Sequence, residues 1–449
     1  MSQSSVPGCL AVALLALSAA PAYSAPPTAR NSAVASARAA PESPLSAVEY
    51  EQRKNRIVRF FERQRAAYRV VATTRTKSGQ IIDWIWPQSQ VADGALAAPP
   101  DAGDSLPPKG QAYQASSLAA KAPGAPNRTA QTEVQLDASM RGPKGTVPVV
   151  RFDVDEYLRQ VKNLPLDPRQ IVSKAPPAPS PASNNRYYVV WHRFADVYGT
   201  SGYINIWDTA GPVYGETSIA QTAVIRGVPM QAIEAGKIEH VAFAPASQPV
   251  FFTYFRTNDA ASGDWVGGYN ALVRGWVQVS PTVAPGMSLV GWSSVAGGPQ
   301  YDLDLEVRLF NGNWWVKAAG QWAGYYPYCV GGGAAPPCPS GTLFSAAGIR
   351  DKADRLDWYG EIYDSSAPAS TSTDMGSGAY ANAQFGHAAY FRNLTYFWSA
   401  DNYWWWDSGS LSVTDATCYS GQGPYFNTDP TWRNWFYYGG PGREGAGCL

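Results

Sequence analysis

From Arg186 onward the chain is a succession of short β-forming runs broken by Gly, Pro, Asn and Asp, and this pattern restricts the fold more than any other feature. The runs are RYYVVWHRF, YINIW, SIAQTAVIR, HVAFA, PVFFTYF, WVQV, DLDLEVRLF, NWWVKAA, WYGEIY and HAAYFRNLTYFW. Val, Ile and the aromatics pack well on a pleated surface, and none of these runs sustains the 3.6-residue period of a helix. The expectation is an all-β domain, an antiparallel β-sandwich of two sheets packed face to face. Aromatics at 13% beside 42 Gly and 36 Pro agree with turn-rich strands and disagree with a helical bundle.

What precedes this domain reads differently. Residues 1–24 have the grammar of a signal peptide, with an apolar run from Cys9 to Ala20 and small residues at Ala22 and Ser24. The product is therefore expected to be secreted: extracellular, or periplasmic in a Gram-negative host. No later apolar run reaches the length of a membrane span, so no membrane partner is expected after signal cleavage. Residues 25–173 read as a mixed α/β leader interrupted by disordered Ala- and Pro-rich segments. It opens with a basic amphipathic helix around Val48 to Val70, followed by a hairpin about Ser78-Gly79 and, after Val147, a strand and a short helix. Residues 174–185, KAPPAPSPASNN, form a Pro-rich linker that can join neither helix nor sheet. The domain boundary lies there, with residues 186–449 as the β-sandwich.

Lys and Arg equal Asp and Glu at 35 each, so net charge points to no nucleic acid. The balance hides a division: residues 25–185 hold 21 basic against 14 acidic side chains, and residues 186–449 hold 14 against 21. Opposite charges predict a leader docked on the later domain partly by electrostatics, with acid weakening the hold. Cys329, Cys338, Cys418 and Cys448 remain after signal removal, and their proximity in sequence favours disulfides Cys329–Cys338 and Cys418–Cys448.

Two acids stand out. In WYGEIY, period-2 alternation puts Tyr359, Glu361 and Tyr363 on one face, a carboxylate between phenolic rings. In YGETSIAQTAV, Glu216 opens a strand with Ser218 and Ala220 on its face, and small neighbours leave room above the acid. Two glutamates brought together on one concave sheet cannot both ionise easily, so one becomes a base and the other an acid.

At these residues the chain resembles the neprosin family of secreted glutamic endopeptidases. Glu216-Thr-Ser-Ile-Ala-Gln221 and Trp358-Tyr-Gly-Glu361-Ile-Tyr look like its two glutamate motifs, and Thr373-Asp-Met-Gly-Ser-Gly378 like its T-x-MGSG signature. Ile233-Glu-Ala-Gly236, Gly298-Pro-Gln-Tyr301, Gly312-Asn-Trp-Trp315, Gly324-Tyr-Tyr-Pro327, Cys418-Tyr419 and Gly439-Gly-Pro-Gly442 match in order. In the leader, Thr74-Arg-Thr-Lys-Ser-Gly-Gln-Ile-Ile-Asp83 resembles the family's activation peptide.

The resemblance implies a β-sandwich zymogen, activated in acid, that cleaves peptides after proline with Glu216 and Glu361 and no metal or other cofactor. Its partners would be proline-containing peptides or proteins, and its own propeptide as intramolecular inhibitor. Ser218, Gln221, Tyr359, Tyr363 and Ser377 are candidate substrate contacts, and Pro176, Pro177, Pro179 and Pro181 candidate processing sites. The chain departs from the family in lacking its cysteine pair before the central strand and in having Trp-Tyr-Gly-Glu for Trp-Gly-Gly-Glu.

Other readings compete. A carbohydrate-active or carbohydrate-binding sandwich would use the same carboxylates, with seventeen Trp for sugar stacking. Asp208-Thr-Ala and Asp407-Ser-Gly imitate the paired motif of pepsin-like proteases, but their Trp-rich surroundings fit sandwich strands better. Asp302, Asp304 and Glu306 alternate with Leu303, Leu305 and Val307, the pattern of a solvated strand face rather than a calcium site. His192, His240 and His387 are scattered without an HExxH, which disfavours a zinc protease.

Overall fold

The leader's helix α1 (Ala47–Ala66) starts where its residues dictate. Ser46 Oγ accepts from the Glu49 amide at 3.3 Å while the Glu49 carboxylate takes the Ser46 amide at 3.2 Å, a reciprocal cap. Its apolar stripe, Ile57, Phe60 and Phe61, is buried. Strands β1 (Val70–Arg75) and β2 (Ile81–Ile85) form a hairpin, and β3 (Val147–Val150) pairs with the other edge of β2. Gly79 turns the hairpin at φ +90°, a conformation that costs glycine nothing. Helices α2 (Val154–Gln160) and α3 (Arg169–Val172) then carry the chain to Lys174. This account is of a computed structural model that describes residues 45–100, 140–161, 163–174, 185–209, 216–240, 242–243, 248–258, 261, 265–364, 371–429 and 431–442.

The later region continues as β4 (Arg186–Val197), β5 (Gly199–Asn205), β6 (Glu216–Arg226), β7 (Gln231–Glu239), β8 (Val250–Arg256), β9 (Gly267–Tyr269) and β10 (Val277–Gln278). After a long irregular stretch come β11 (Asp302–Phe310), β12 (Asn313–Ala318), β13 (Gln321–Tyr326) and β14 (Ala353–Asp364). The last are β15 (Ala389–Phe397), β16 (Tyr403–Trp405), β17 (Ser410–Val413), β18 (Ser420–Phe426) and β19 (Asn434–Gly439). Two antiparallel sheets result. One runs β17-β4-β14-β6-β7-β8-β9; the other runs β10-β13-β12-β11-β5-β15-β19-β18, with β16 on β15. The strand expected over residues 240–244 is not found at His240; the chain is extended just before it, as β7.

The sheets meet through alternate residues. On β14, Leu356, Trp358 and Ile362 point inward, and the Trp358 ring stands edge-on to Phe391 of β15 with centroids 5.7 Å apart. Its indole N–H donates to Thr200 Oγ1 at 2.9 Å, so the buried donor is satisfied. The opposite face of β14, carrying Tyr359, Glu361 and Tyr363, therefore looks away from the core.

The leader shares this core rather than resting against it: Phe60, Trp84 and Val172 belong to one apolar cluster with residues of both sheets. Two glutamine amides fasten it. Gln80 donates to Gly286 O at 2.7 Å and accepts from Ser288 N at 2.8 Å; Gln90 does the same with Gln278 O and N, both at 2.8 Å. The expected electrostatic hold is narrower than the charge division suggested. Arg65 and Arg151 are consumed within the leader by Asp83, and among the described residues the ion pairs that cross to the later strands come from Lys174.

Candidate active site

On the outward face of the first sheet, three adjacent strands each contribute one polar side chain along a diagonal. Glu361 lies on β14, Gln221 on β6 and Glu234 on β7, and the register aligns them: Tyr359 faces Gln221, Gln221 faces Gly236, and Glu361 and Glu234 lie two residues to either side. An even offset keeps all three on one face. Gly236 makes the arrangement fit. A Cβ there would lie 2.1 Å from Ala220 O and 2.8 Å from Gln221 Cβ, so only glycine lets β7 close against β6 at this point.

All three side chains are buried, Glu361 at 2%, Glu234 at 8% and Gln221 at 0% relative exposure. Burial of two carboxylates demands cations or protons, and Lys174 answers it. Its ammonium donates to Glu234 Oε2 at 2.5 Å, Glu361 Oε2 at 2.9 Å and Gln221 Oε1 at 3.4 Å, with the Tyr254 ring 5.8 Å away. Gln221 Nε2 also donates to Glu361 Oε2 at 2.7 Å. On the far side, Arg186 Nη1 donates to Glu361 Oε1. Burial opposes ionisation of Glu361, but Lys174 and Arg186 outweigh it and hold the carboxyl below its usual value. The same carboxylates offset the burial of Lys174 and raise its pKa. Around this cluster stand Tyr188, Tyr254, Tyr269 and Tyr359, whose phenols burial and neighbouring negative charge keep protonated. Such hydroxyls are donors at any working pH.

A sequence model of the family described as Neprosin matches residues 214–441, half of the chain, and spans every strand just described as bearing the cluster's later members. The chain belongs to the Neprosin family. With that family comes the class, a glutamic peptidase. Among solved structures, the chain is similar to Scytalido-glutamic peptidase in complex with a peptide-based transition-state analogue, at 8% identity and TM-score 0.29, over 58% of this chain and 98% of that one. It is also similar to SCP-B, a member of the Eqolisin family of peptidases in complex with the tripeptide Ala-Ile-His, at 10% identity and TM-score 0.25, over 58% and 98%. Likeness at this level transfers no residue roles.

The neprosin resemblance had put Glu216 opposite Glu361, and the register does not bring them together. Glu216 pairs with Asp364, three positions from Glu361. An odd offset places it on the other face of the sheet, so it cannot share a trough with Glu361. Ser218, on the face of Glu216, is likewise withdrawn: its hydroxyl donates to Asp374 O at 2.8 Å. Gln221, Tyr359 and Tyr363 do share the face of Glu361, and Tyr363 carries the Arg186 guanidinium 4.6 Å above its ring. Ser377 is a turn residue, its Oγ accepting from Ala379 N at 3.2 Å. The MGSG turn packs behind β14, where a Cβ on Gly360 would meet Tyr438 at 2.5 Å and Met375 Sδ at 2.9 Å.

Sequence reasoning missed Glu234, Lys174 and Arg186. A signal for the first was present: Glu216 and Gln221 are five apart and cannot share a face of one regular strand, whereas Glu234 immediately follows Ile233 in a family-like segment.

The rival readings lose their footing. Ten of the seventeen Trp are buried, Trp191, Trp314, Trp315, Trp358, Trp406 and Trp432 among them, which takes most of the large indoles away from sugar stacking. Asp407 pairs with Arg193 at 3.2 Å, and Asp208, its carboxyl pKa raised by burial and by Glu239, lies elsewhere. The face bearing Asp302, Asp304 and Glu306 is not solvated as expected. Asp302 accepts from Tyr390 and Arg392, both at 2.6 Å, and Glu306 is buried beside Arg308. Among the described residues no group of His, Cys, Asp and Glu is arranged to hold a metal. Cys329–Cys338 is a disulfide; Cys448 lies outside the described residues, as do Pro176, Pro177, Pro179 and Pro181.

Proposed function

We propose that this chain is the secreted zymogen of a glutamic endopeptidase whose catalytic pair is Glu234 and Glu361, and that Lys174 of the propeptide is its inhibitor. The observation that carries the reading is one ammonium in hydrogen-bond contact with both buried carboxylates. An ammonium nitrogen and a water oxygen are close in size, so withdrawal of Lys174 leaves a position from which water touches both acids. In the reaction, one carboxylate takes a proton from this water as its oxygen bonds to the scissile carbonyl carbon. The other, protonated, gives its proton to the carbonyl oxygen. Collapse breaks the C–N bond as the first glutamic acid protonates the leaving nitrogen. A hydroxyl of the intermediate returns a proton to the second glutamate, leaving a carboxylic acid, an amine and both glutamates as they began. Gln221 Nε2 and the protonated tyrosines supply donors for the developing oxyanion.

The need for one protonated carboxyl favours acid. Acid also loosens the Lys174 contacts, because a proton taken up by the carboxylate pair removes charge they rest on. Cleavage after proline is supported by the sequence leaving Lys174, Ala-Pro-Pro-Ala-Pro-Ser-Pro, which offers prolyl bonds within a few residues of the lysine that contacts both carboxylates.

The test is to hold the purified full-length chain at acid and neutral pH and sequence any new N-terminus. The reading predicts acid-dependent cleavage after Pro176, Pro177, Pro179 or Pro181, abolished by Glu234→Gln and by Glu361→Gln. Cleavage that survives either substitution contradicts it, and hydrolysis of polysaccharide with proteins untouched replaces it.

A further inference from the structure

We propose that Arg186 assigns the two glutamates their separate roles: once Lys174 has left, it keeps Glu361 as the anionic base and leaves the shared proton on Glu234, the acid. The inference rests on the reading of Glu234 and Glu361 as the catalytic pair. It makes Arg186 a positioning residue that acts through Glu361.

Three observations carry it. The two oxygens of Glu361 are engaged separately: Oε2 by Lys174 and Gln221, Oε1 by Arg186. Departure of Lys174 thus opens Oε2 to water and leaves the guanidinium contact in place. Arg186 opens β4, beyond the linker, so it stays with the mature chain whichever linker bond is cut. It is also fixed, 7% exposed and lying on the Tyr363 ring.

Among the described residues, no cation besides Lys174 and Arg186 pairs with Glu361. Facing Glu361 are Tyr188 from β4, Tyr359 and Tyr363 from β14, Glu234 from β7, Tyr254 from β8 and Tyr269 from β9, while β6 offers Gln221, which does not titrate. Arg256 on β8 interacts with Tyr254. Farther along the same face, His192, Arg355 and Asp357 are bound to one another. Among the described residues, Lys174 is the cation in contact with Glu234, and Arg186 is the one left to Glu361. Two adjacent carboxylates without Lys174 favour sharing one proton. A guanidinium stays charged throughout the working range, so the anion settles beside it and the proton goes to Glu234.

The test is the pH profile of kcat/KM for mature enzyme, released from the full-length chain by an added protease through a site placed in the linker, so that release does not depend on activity. Removing the charge with Arg186→Gln makes Glu361 harder to ionise, so the acid limb moves up by about one to three pH units. Arg186→Lys, which keeps the charge, holds the limb near its wild-type position. A folded Arg186→Gln enzyme whose profile falls in amplitude without moving overturns the proposal. If Arg186→Gln does not fold, Arg186→Lys decides: an active enzyme with the limb in place supports the assignment, and a displaced limb or a folded, inactive protein refutes it. Failure of the underlying pair is distinguishable, because then Glu234→Gln or Glu361→Gln retains activity whatever Arg186 does.

Discussion

Replacement of Lys174 by Met should convert a latent precursor into one that leaks activity at neutral pH. Methionine keeps the apolar stem and removes the charge, so Glu234 loses its ammonium and Glu361 keeps Arg186 as its cation beside the Gln221 amide. Removing one partner of a buried ion pair costs about 3–5 kcal/mol. The lower end applies, since Arg186 remains, and about 3 kcal/mol corresponds to roughly a hundredfold rise in the fraction of molecules with the site uncovered. The pH dependence has a definite sign. Glu361 is held below its ordinary value of 4.5, so the stability it contributes is complete above that value and is lost as pH falls through the lower, folded one. Wild-type docking should therefore persist at pH 6–7 and fail only in distinctly acid solution, whereas Lys174→Met should be weak throughout. A quenched fluorogenic proline peptide read against pH for both full-length proteins, with urea denaturation at pH 7 in parallel, measures this. A Lys174→Met precursor that stays as silent and as resistant to urea as wild type would refute the reasoning.

Two further substitutions test the scaffold. Gly236→Ala drives a methyl group into the backbone of β6, where overpacking costs about 1–3 kcal/mol; a lowered Tm together with lost peptidase activity is expected, and unchanged values for both would contradict the packing argument. Gln80→Ala leaves Gly286 O and Ser288 N without the partner that joins them to the leader, at about 1–3 kcal/mol for each buried group left unpaired. After linker cleavage the leader should dissociate measurably faster from the Gln80→Ala protein in size-exclusion or surface-binding kinetics, and an unchanged rate would show that the apolar contacts hold it alone.

The sandwich was legible because Gly- and Asn-punctuated aromatic runs have few other ways to bury themselves, and Glu361 because alternation around it put two tyrosines on its face. Its partner was not. Alternation correctly grouped Glu216 with Ser218, but which face of the sheet that group occupies depends on how β6 registers with β14, and one sequence does not encode that alignment locally. β7 was overlooked because QAIEAGKIE mixes charges and a glycine that strand composition disfavours; the glycine is there to admit Gln221 beside it. The division of charge between leader and sandwich pointed to docking, yet the contact that matters is a single lysine at the leader's end. Bulk charge does not reveal where one ammonium is buried.

The central claim is that Glu234, rather than Glu216, completes the site with Glu361. It is tested most directly by kcat on a proline peptide for three mature variants, Glu216→Gln, Glu234→Gln and Glu361→Gln, each released by an added protease. Loss of at least about a thousandfold in the last two, with Glu216→Gln within about tenfold of wild type, is the predicted result. An inactive but folded Glu216→Gln enzyme beside an active Glu234→Gln enzyme would contradict it.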